Sequence, residues 1–162
     1  IAMLHRVAPN IQIVYFDSLE QLINPDAESW SECRASLKES TVMRPKYKWE
    51  VKKIGAGPPP IRTDAGWLLI YHGVDANHVY RAGAALLDLE DPARVIVRSP
   101  HPILEPEEEY ERIGDVPNVV FPEGAVTIGD ELLVFYGGAD VVCCAASVRL
   151  DEFVNHLLVQ RG

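Results

Sequence analysis

Five polar side chains stand out by type and setting: Arg6, Lys53, His72, Tyr80 and Asp140. Lys53 opens the run Ile54-Gly55-Ala56-Gly57-Pro58-Pro59-Pro60, whose glycines let the backbone come close to a ligand. The run is neither a P-loop nor a dinucleotide fingerprint, because no Gly-Lys-Ser/Thr follows and proline offers no amide to a phosphate. His72 lies inside an apolar segment, residues 67–74, where it could be a satisfied core histidine or a ligand. Tyr80 and Arg81 follow in a polar turn. Asp140 comes after Tyr136-Gly137-Gly138-Ala139, where a strand leaves the core and a carboxylate is free to meet a polar ligand. Singly, each could be incidental. Gathered in one funnel, Arg6, Lys53 and His72 would make an anion site, and phosphate suits it: arginine offers a fork of donors, lysine a point charge, histidine an adjustable donor.

Whether they gather depends on the elements that carry them, and an internal repeat decides that. Residues 67–73 (Trp-Leu-Leu-Ile-Tyr-His-Gly) align with residues 131–137 (Glu-Leu-Leu-Val-Phe-Tyr-Gly), about 64 positions on. Each follows a turn, residues 63–66 or 129–130, and each precedes a strand of small residues, 82–89 or 143–150. A weaker copy, residues 2–6 and 11–19, reads as the back half of an earlier unit. The units are short Val-, Ile-, Leu- and Tyr-rich strands between Gly, Pro, Asp and Asn turns, an all-β signal. Repeats of about four strands build β-propellers, whose small sheets bury their faces against one another; a β-sandwich with accidental similarity is the alternative. Gly83, Ala84, Ala85, Ala145 and Ala146 would suit strands near a crowded axis. One helix is expected over residues 151–159, capped by Asp151, with Phe153, Val154, Leu157 and Leu158 on its apolar face. Pro58-Pro59-Pro60 reads as a rigid connector or the approach to an inner strand.

The 162 residues hold 15 Lys and Arg against 24 Asp and Glu, a formal charge of −9, which argues against non-specific nucleic-acid or anionic-membrane binding. No apolar run approaches the ~20 residues needed to span a bilayer, and a cytoplasmic protein is expected. Cys33, Cys143 and Cys144 read as small apolar residues of buried strands, with neither a disulfide framework nor a zinc site. The histidines at 5, 72, 78, 101 and 156 have no metal-ligand spacing, so no metal and no cofactor are expected. The acidic residues 105–111 read as a solvated loop, and Trp30, Trp49 and Tyr110 as packing residues that could stack on a sugar. The opening, Ile1 to Arg6, enters an apolar segment without an initiator Met, as if cut from a longer chain.

Several stretches in order resemble glycoside hydrolase family 130: residues 2–6, 53–61, 66–74, 80–84, 117–124 and 136–140. The resemblance implies a five-bladed β-propeller with its active site in the central funnel, this chain matching the C-terminal half. The chain would supply about 2.5 blades, divided into residues 1–50, 51–115 and 116–162. It further implies β-mannoside phosphorolysis with inversion, giving α-mannose 1-phosphate, with inorganic phosphate as co-substrate. Arg6, Lys53 and His72 would help hold phosphate, with Tyr80 beside them, and Asp140 would hold hydroxyls of the non-reducing mannose. The family's general acid, an aspartate, belongs to the N-terminal half and has no counterpart here, so the chain alone is expected to be inactive. Two other readings stay open, a β-mannosidase and a non-catalytic sugar- or anion-binding half-propeller. The first would lack the basic ligands; the second would close its ring as a homodimer, where the enzyme would use the N-terminal half or a second chain.

Overall fold

In the computed structural model, the strand at the centre is the one whose sequence is apolar on both sides of the pleat. This strand, β6 (Gly66–Val74), is buried almost throughout, as a strand covered on both faces must be. It belongs to a sheet ordered β4-β6-β7-β8, made with β4 (Lys53–Ala56), β7 (Tyr80–Leu87) and β8 (Val95–Arg98). A short strand, β5 (Ile61–Thr63), also pairs with β6. The three prolines fall in the break between β4 and β5, where only Gly57 keeps a ladder bond, its N–H donating to Ile70 O at 3.0 Å. Proline cannot donate to a ladder, so one neighbour of β6 is split in two.

This is the second sheet in chain order; the first precedes it and consists of β1 (Ala2–His5), β2 (Ile11–Tyr15) and β3 (Thr41–Met43). A third follows it, β9 (Val120–Ile128), β10 (Glu131–Gly138) and β11 (Val142–Arg149), a meander with β10 in the middle. The structure describes residues 1–24, 31 and 34–160; Trp30 and Cys33 lie outside them. Short helical elements accompany the sheets, among them α1 (Leu19–Ile23), a 3-10 turn (Lys48–Glu50), α2 (Glu109–Arg112) and α3 (Leu150–Val159).

Alternation along β6 assigns its two faces to different neighbours. Leu69 and Tyr71 join Ala85, Leu87, Ile54, Ile11 and Met43 in a core toward the first sheet. Leu68 and Ile70 join Ala84, Leu86, Leu132, Val134, Val154 and Leu157 in a core toward the third sheet and α3. Sheets therefore stack in chain order, one face after another, as blades do, rather than as a two-layer sandwich. The fold is all-β, of propeller type.

Four expectations change. Gly83, Ala84 and Ala85 are small because β7 is clasped between neighbours: a Cβ on Gly83 would lie 2.5 Å from Trp49 and 2.6 Å from Tyr71. Ala145 is exposed and Ala146 half-buried, because β11 is a sheet edge; Cys143 is exposed for the same reason. Asp151 sits in the first turn of α3, with Arg149 at the cap position, so it serves the positive end of the helix dipole rather than capping it. The alignment of residues 67–73 with 131–137 is one residue out: Leu69 and Tyr71 face the preceding sheet, as Val134 and Tyr136 do, so Tyr71 matches Tyr136, not Phe135. In a strand a one-residue slip exchanges the faces.

Candidate functional site

Four strands bring Arg6, Lys53, His72 and Tyr80 together. Arg6 follows β1 directly, Lys53 begins β4, and His72 lies on β6 opposite Gly55 of β4. Tyr80 begins β7, opposite Val74. The Arg6 Nη1 and His72 Nε2 atoms are 2.9 Å apart. An arginine nitrogen only donates, so Nε2 accepts and the imidazole proton resides on Nδ1. Lys53 Nζ lies 5.3 Å from the Tyr80 ring centroid, within cation–π range, and the His72 and Tyr80 rings are 6.2 Å apart. Phe121 of β9 completes the group, its ring 4.5 Å from His72 and 6.1 Å from Tyr80.

Gly55 is required by this packing. A Cβ there would sit 2.5 Å from His72 Cε1, 2.6 Å from His72 Nε2 and 2.9 Å from Arg6 Nη1. The backbone approach expected toward a ligand is thus an approach to the two residues themselves. His72 is 3% exposed and boxed by Gly55, Phe121 and Arg6. Burial, then the charges of Arg6 and Lys53, lower its pKa to about 4. At neutral pH the ring is neutral, with its Nδ1 buried and without a hydrogen-bond partner. The two alternatives for His72 merge: it is a core residue that also touches a cation. Titration of His72 therefore moves well below the ordinary imidazole range, because burial first and then two positive neighbours disfavour the imidazolium.

Among the described residues neither Arg6 nor Lys53 forms an ion pair with a carboxylate. Two positive charges beside a neutral imidazole, in a chain of net charge −9, leave a local need for an anion. No group of three or more His, Cys, Asp or Glu among the described residues is arranged to hold a metal ion.

Asp140 does not join the four. It is exposed in the β10–β11 turn, where it and Ala139 both have left-handed backbone (φ 58° and 46°). Its turn is nevertheless tied to their end of the sheets. Tyr80 N–H donates to Asn118 O at 3.0 Å, Val119 bridges Tyr80, and Ala139 N–H donates to Val119 O at 3.1 Å.

Sequence reasoning missed the supports. Glu50 is fully buried: Oε1 accepts from the Lys46 and Tyr47 amides (2.7 and 2.9 Å), and Oε2 accepts from Tyr71 Oη (3.2 Å) and from Arg98 Nη2. Glu111 is 4% exposed and repeats the design: Oε2 accepts from the Glu107 and Glu108 amides (2.7 and 2.9 Å), Oε1 from Tyr136 Oη (2.8 Å). The acidic run is therefore not merely a solvated loop, since its last carboxylate anchors α2. Burial opposes ionisation of Glu111, but the two amides and the Tyr136 hydroxyl outweigh it and hold the pKa below the ordinary value. Trp49 packs as expected, stacked 5.7 Å from Tyr71 with its indole N–H donating to Pro100 O at 3.0 Å.

Residues 3–158 match the family model of glycoside hydrolase family 130, described as beta-1,4-mannooligosaccharide phosphorylase. The chain is 44% identical over 150 residues to a 1,2-beta-oligomannan phosphorylase of Thermoanaerobacter sp. (strain X514), covering 93% of this chain and 46% of that protein. It is 55% identical over 111 residues to a beta-1,2-mannobiose phosphorylase of the same strain, covering 68% and 37%. The structure of beta-1,2-mannobiose phosphorylase from Listeria innocua, in complex with beta-1,2-mannobiose, superposes with a TM-score of 0.67 at 41% identity, covering 72% of this chain and 33% of that one. The chain spans less than half the length of these relatives. With a matching family model over nearly its whole extent, the chain belongs to glycoside hydrolase family 130.

Proposed function

We propose that this chain supplies the phosphate-holding and mannose-holding part of a glycoside phosphorylase that cleaves β-mannosides with inorganic phosphate and inverts the anomeric carbon. The observation that carries the reading is the convergence of Arg6, Lys53, His72 and Tyr80, with no carboxylate among the described residues paired to the cations. A phosphate oxygen attacks C1 of the mannosyl residue, the C1–O bond to the departing sugar breaks, and α-mannose 1-phosphate forms. The departing oxygen takes a proton from an acid outside this chain. Because phosphate is the nucleophile, the site needs no carboxylate base to activate water. Arg6 and Lys53 hold the phosphate in line with C1 and offset its charge, which lowers the entropic and electrostatic cost of the encounter.

His72 acts in this reading chiefly through Arg6, whose guanidinium it orients from Nε2. Asp140 takes hydroxyls of the non-reducing mannose from the β10–β11 turn. The three sheets stand as successive blades bounded near residues 50 and 115. The outer face of the last, with Val126, Ile128 and Phe135 exposed, is covered by a further blade of the same ring. We assign the protein to the cytoplasm, where phosphate is abundant and free cysteines stay reduced.

The test is phosphate consumption by the full-length gene product on β-1,2- and β-1,4-mannobiose. α-Mannose 1-phosphate, formed only when phosphate is present, is the expected product. Phosphate-independent release of mannose identifies a β-mannosidase instead. Absence of turnover and of phosphate binding, with sugar binding retained, identifies a binding module.

A further inference from the structure

The buried carboxylate of Glu111 contributes nothing to the anion cluster, yet the β10–β11 turn is built around its segment. Its own carbonyl accepts from Val119 N–H at 2.9 Å, and Val119 O in turn accepts from Ala139 N–H at 3.1 Å. Val116 N–H donates to Ala139 O at 3.2 Å. Residues 108–119 thus wrap the turn on two sides, with hydrogen bonds to both polar atoms of the Ala139 peptide groups. Packing leaves the wrap no slack: a Cβ on Gly114 would lie 2.3 Å from Ala139 O, and one on Gly138 would lie 3.2 Å from Tyr110 O.

A side-chain bond ties this wrap to its own sheet, Tyr136 Oη donating to Glu111 Oε1 at 2.8 Å. Tyr136 stands four residues before Asp140 on the strand that feeds the turn. We propose that Glu111 and Tyr136 are positioning residues for the Asp140 turn and thereby set affinity for the sugar while leaving the phosphate cluster untouched. The side chains separate the two duties: the Arg6–His72 contact joins the end of β1 to β6 without passing through Glu111 or Tyr136, and the wrap meets the cluster at the main chain, where Tyr80 N–H donates to Asn118 O at 3.0 Å. The left-handed backbone at Ala139 and Asp140 needs such external support, since non-glycine residues adopt it at a cost. The inference rests on the assignment of Asp140 to the sugar.

Tyr136→Phe removes one hydroxyl and keeps the ring in its pocket. In the full-length protein it is expected to raise the mannoside KM about three- to tenfold while the phosphate KM stays within about twofold. Glu111→Gln, whose amide oxygen can accept from both backbone N–H groups and whose NH2 can donate to Tyr136, should remain near the parent in both constants. Amide hydrogen exchange gives a reading independent of activity: Val116 and Ala139 should exchange faster in Tyr136→Phe, while Gly57 and Ile54 should not. Unchanged exchange at Val116 and Ala139 overturns the inference, as does an equal rise of both KM values or a Glu111→Gln variant as impaired as Tyr136→Phe. Faster exchange in a protein that proves to have no phosphorolytic activity upholds the positioning role and overturns only the proposed reaction.

Discussion

The second and third sheets solve one structural problem with nearly the same parts and differ in one charge. In each, a helical turn ahead of the first strand carries a glutamate that accepts from the amides three and four residues before it, at 2.9 and 2.7 Å in both cases. In each, a tyrosine hydroxyl from an inner strand, β6 or β10, donates to the remaining oxygen. Glu50 also faces the guanidinium of Arg98, which donates to Tyr71 Oη at 3.0 Å and to Arg44 O at 2.7 Å. Glu111 has no such partner among the described residues and takes its hydrogen bonds from neutral donors. The second sheet is covered on both faces and its carboxylate is fully buried, so a countercharge offsets a desolvation that neutral donors alone would leave large. At the third sheet, α2 lies nearer solvent and three good hydrogen bonds suffice.

The largest expected effect removes the difference itself. Arg98→Leu strands Glu50 as a buried, unpaired carboxylate and should lower unfolding free energy by about 3–5 kcal/mol, read by urea titration of the folded protein. A loss below about 1 kcal/mol would mean that the two sites are equivalent after all.

Acid should separate the sheets next. His72 has a folded pKa below its unfolded one, so the unfolded chain binds the extra proton. Its contribution is complete above about pH 6.5 and is lost as pH falls toward about 4, at most about 3 kcal/mol. Glu111, also depressed, contributes fully above its ordinary value of 4.5 and loses that contribution as pH falls further through its folded pKa. Stability measured from pH 7 to 4.5 should therefore fall in the parent and stay flatter in His72→Phe. An identical slope in both removes His72 as its source.

A smaller asymmetry concerns the tyrosines. Tyr136→Phe deprives Glu111 of its one side-chain donor and should cost about 1–3 kcal/mol, whereas Tyr71→Phe leaves Glu50 with Arg98 and should cost about 1 kcal/mol or less. Equal losses would contradict the division of labour between charge and neutral donors. Smallest of all should be the stability effect of Lys53→Met, within about 0.5 kcal/mol, since the ammonium has no carboxylate partner among the described residues. Its phosphate KM, by contrast, should rise more than tenfold.

Strands and their order were legible because β6 and β10 carry apolar runs bounded by turn residues, and the grouping of Arg6, Lys53, His72 and Tyr80 because Arg6 directly follows β1 while Lys53 and Tyr80 begin β4 and β7. The supporting carboxylates were not legible. Glu111 stands in a run of five glutamates between 105 and 111, where composition points to solvent, and only the tertiary position of Tyr136 reveals its burial. The repeat did contain a signal, since a glutamate precedes each inner strand and a tyrosine follows. Equating Tyr71 with Phe135 hid it, because that pairing sets an inward ring against an outward one. Phe121 escaped for a related reason: its contact with His72 crosses between sheets that the pattern along either strand does not relate.

That neither Arg6 nor Lys53 has an acidic partner among the described residues has a practical corollary in the choice of medium. Ions such as sulfate or chloride, present at tens of millimolar in common buffers, compete for the same guanidinium and ammonium and weaken the apparent grip on the true co-substrate. Catalytic constants gathered in ammonium sulfate would understate that grip, whereas an acetate or zwitterionic buffer of low ionic strength would reveal it.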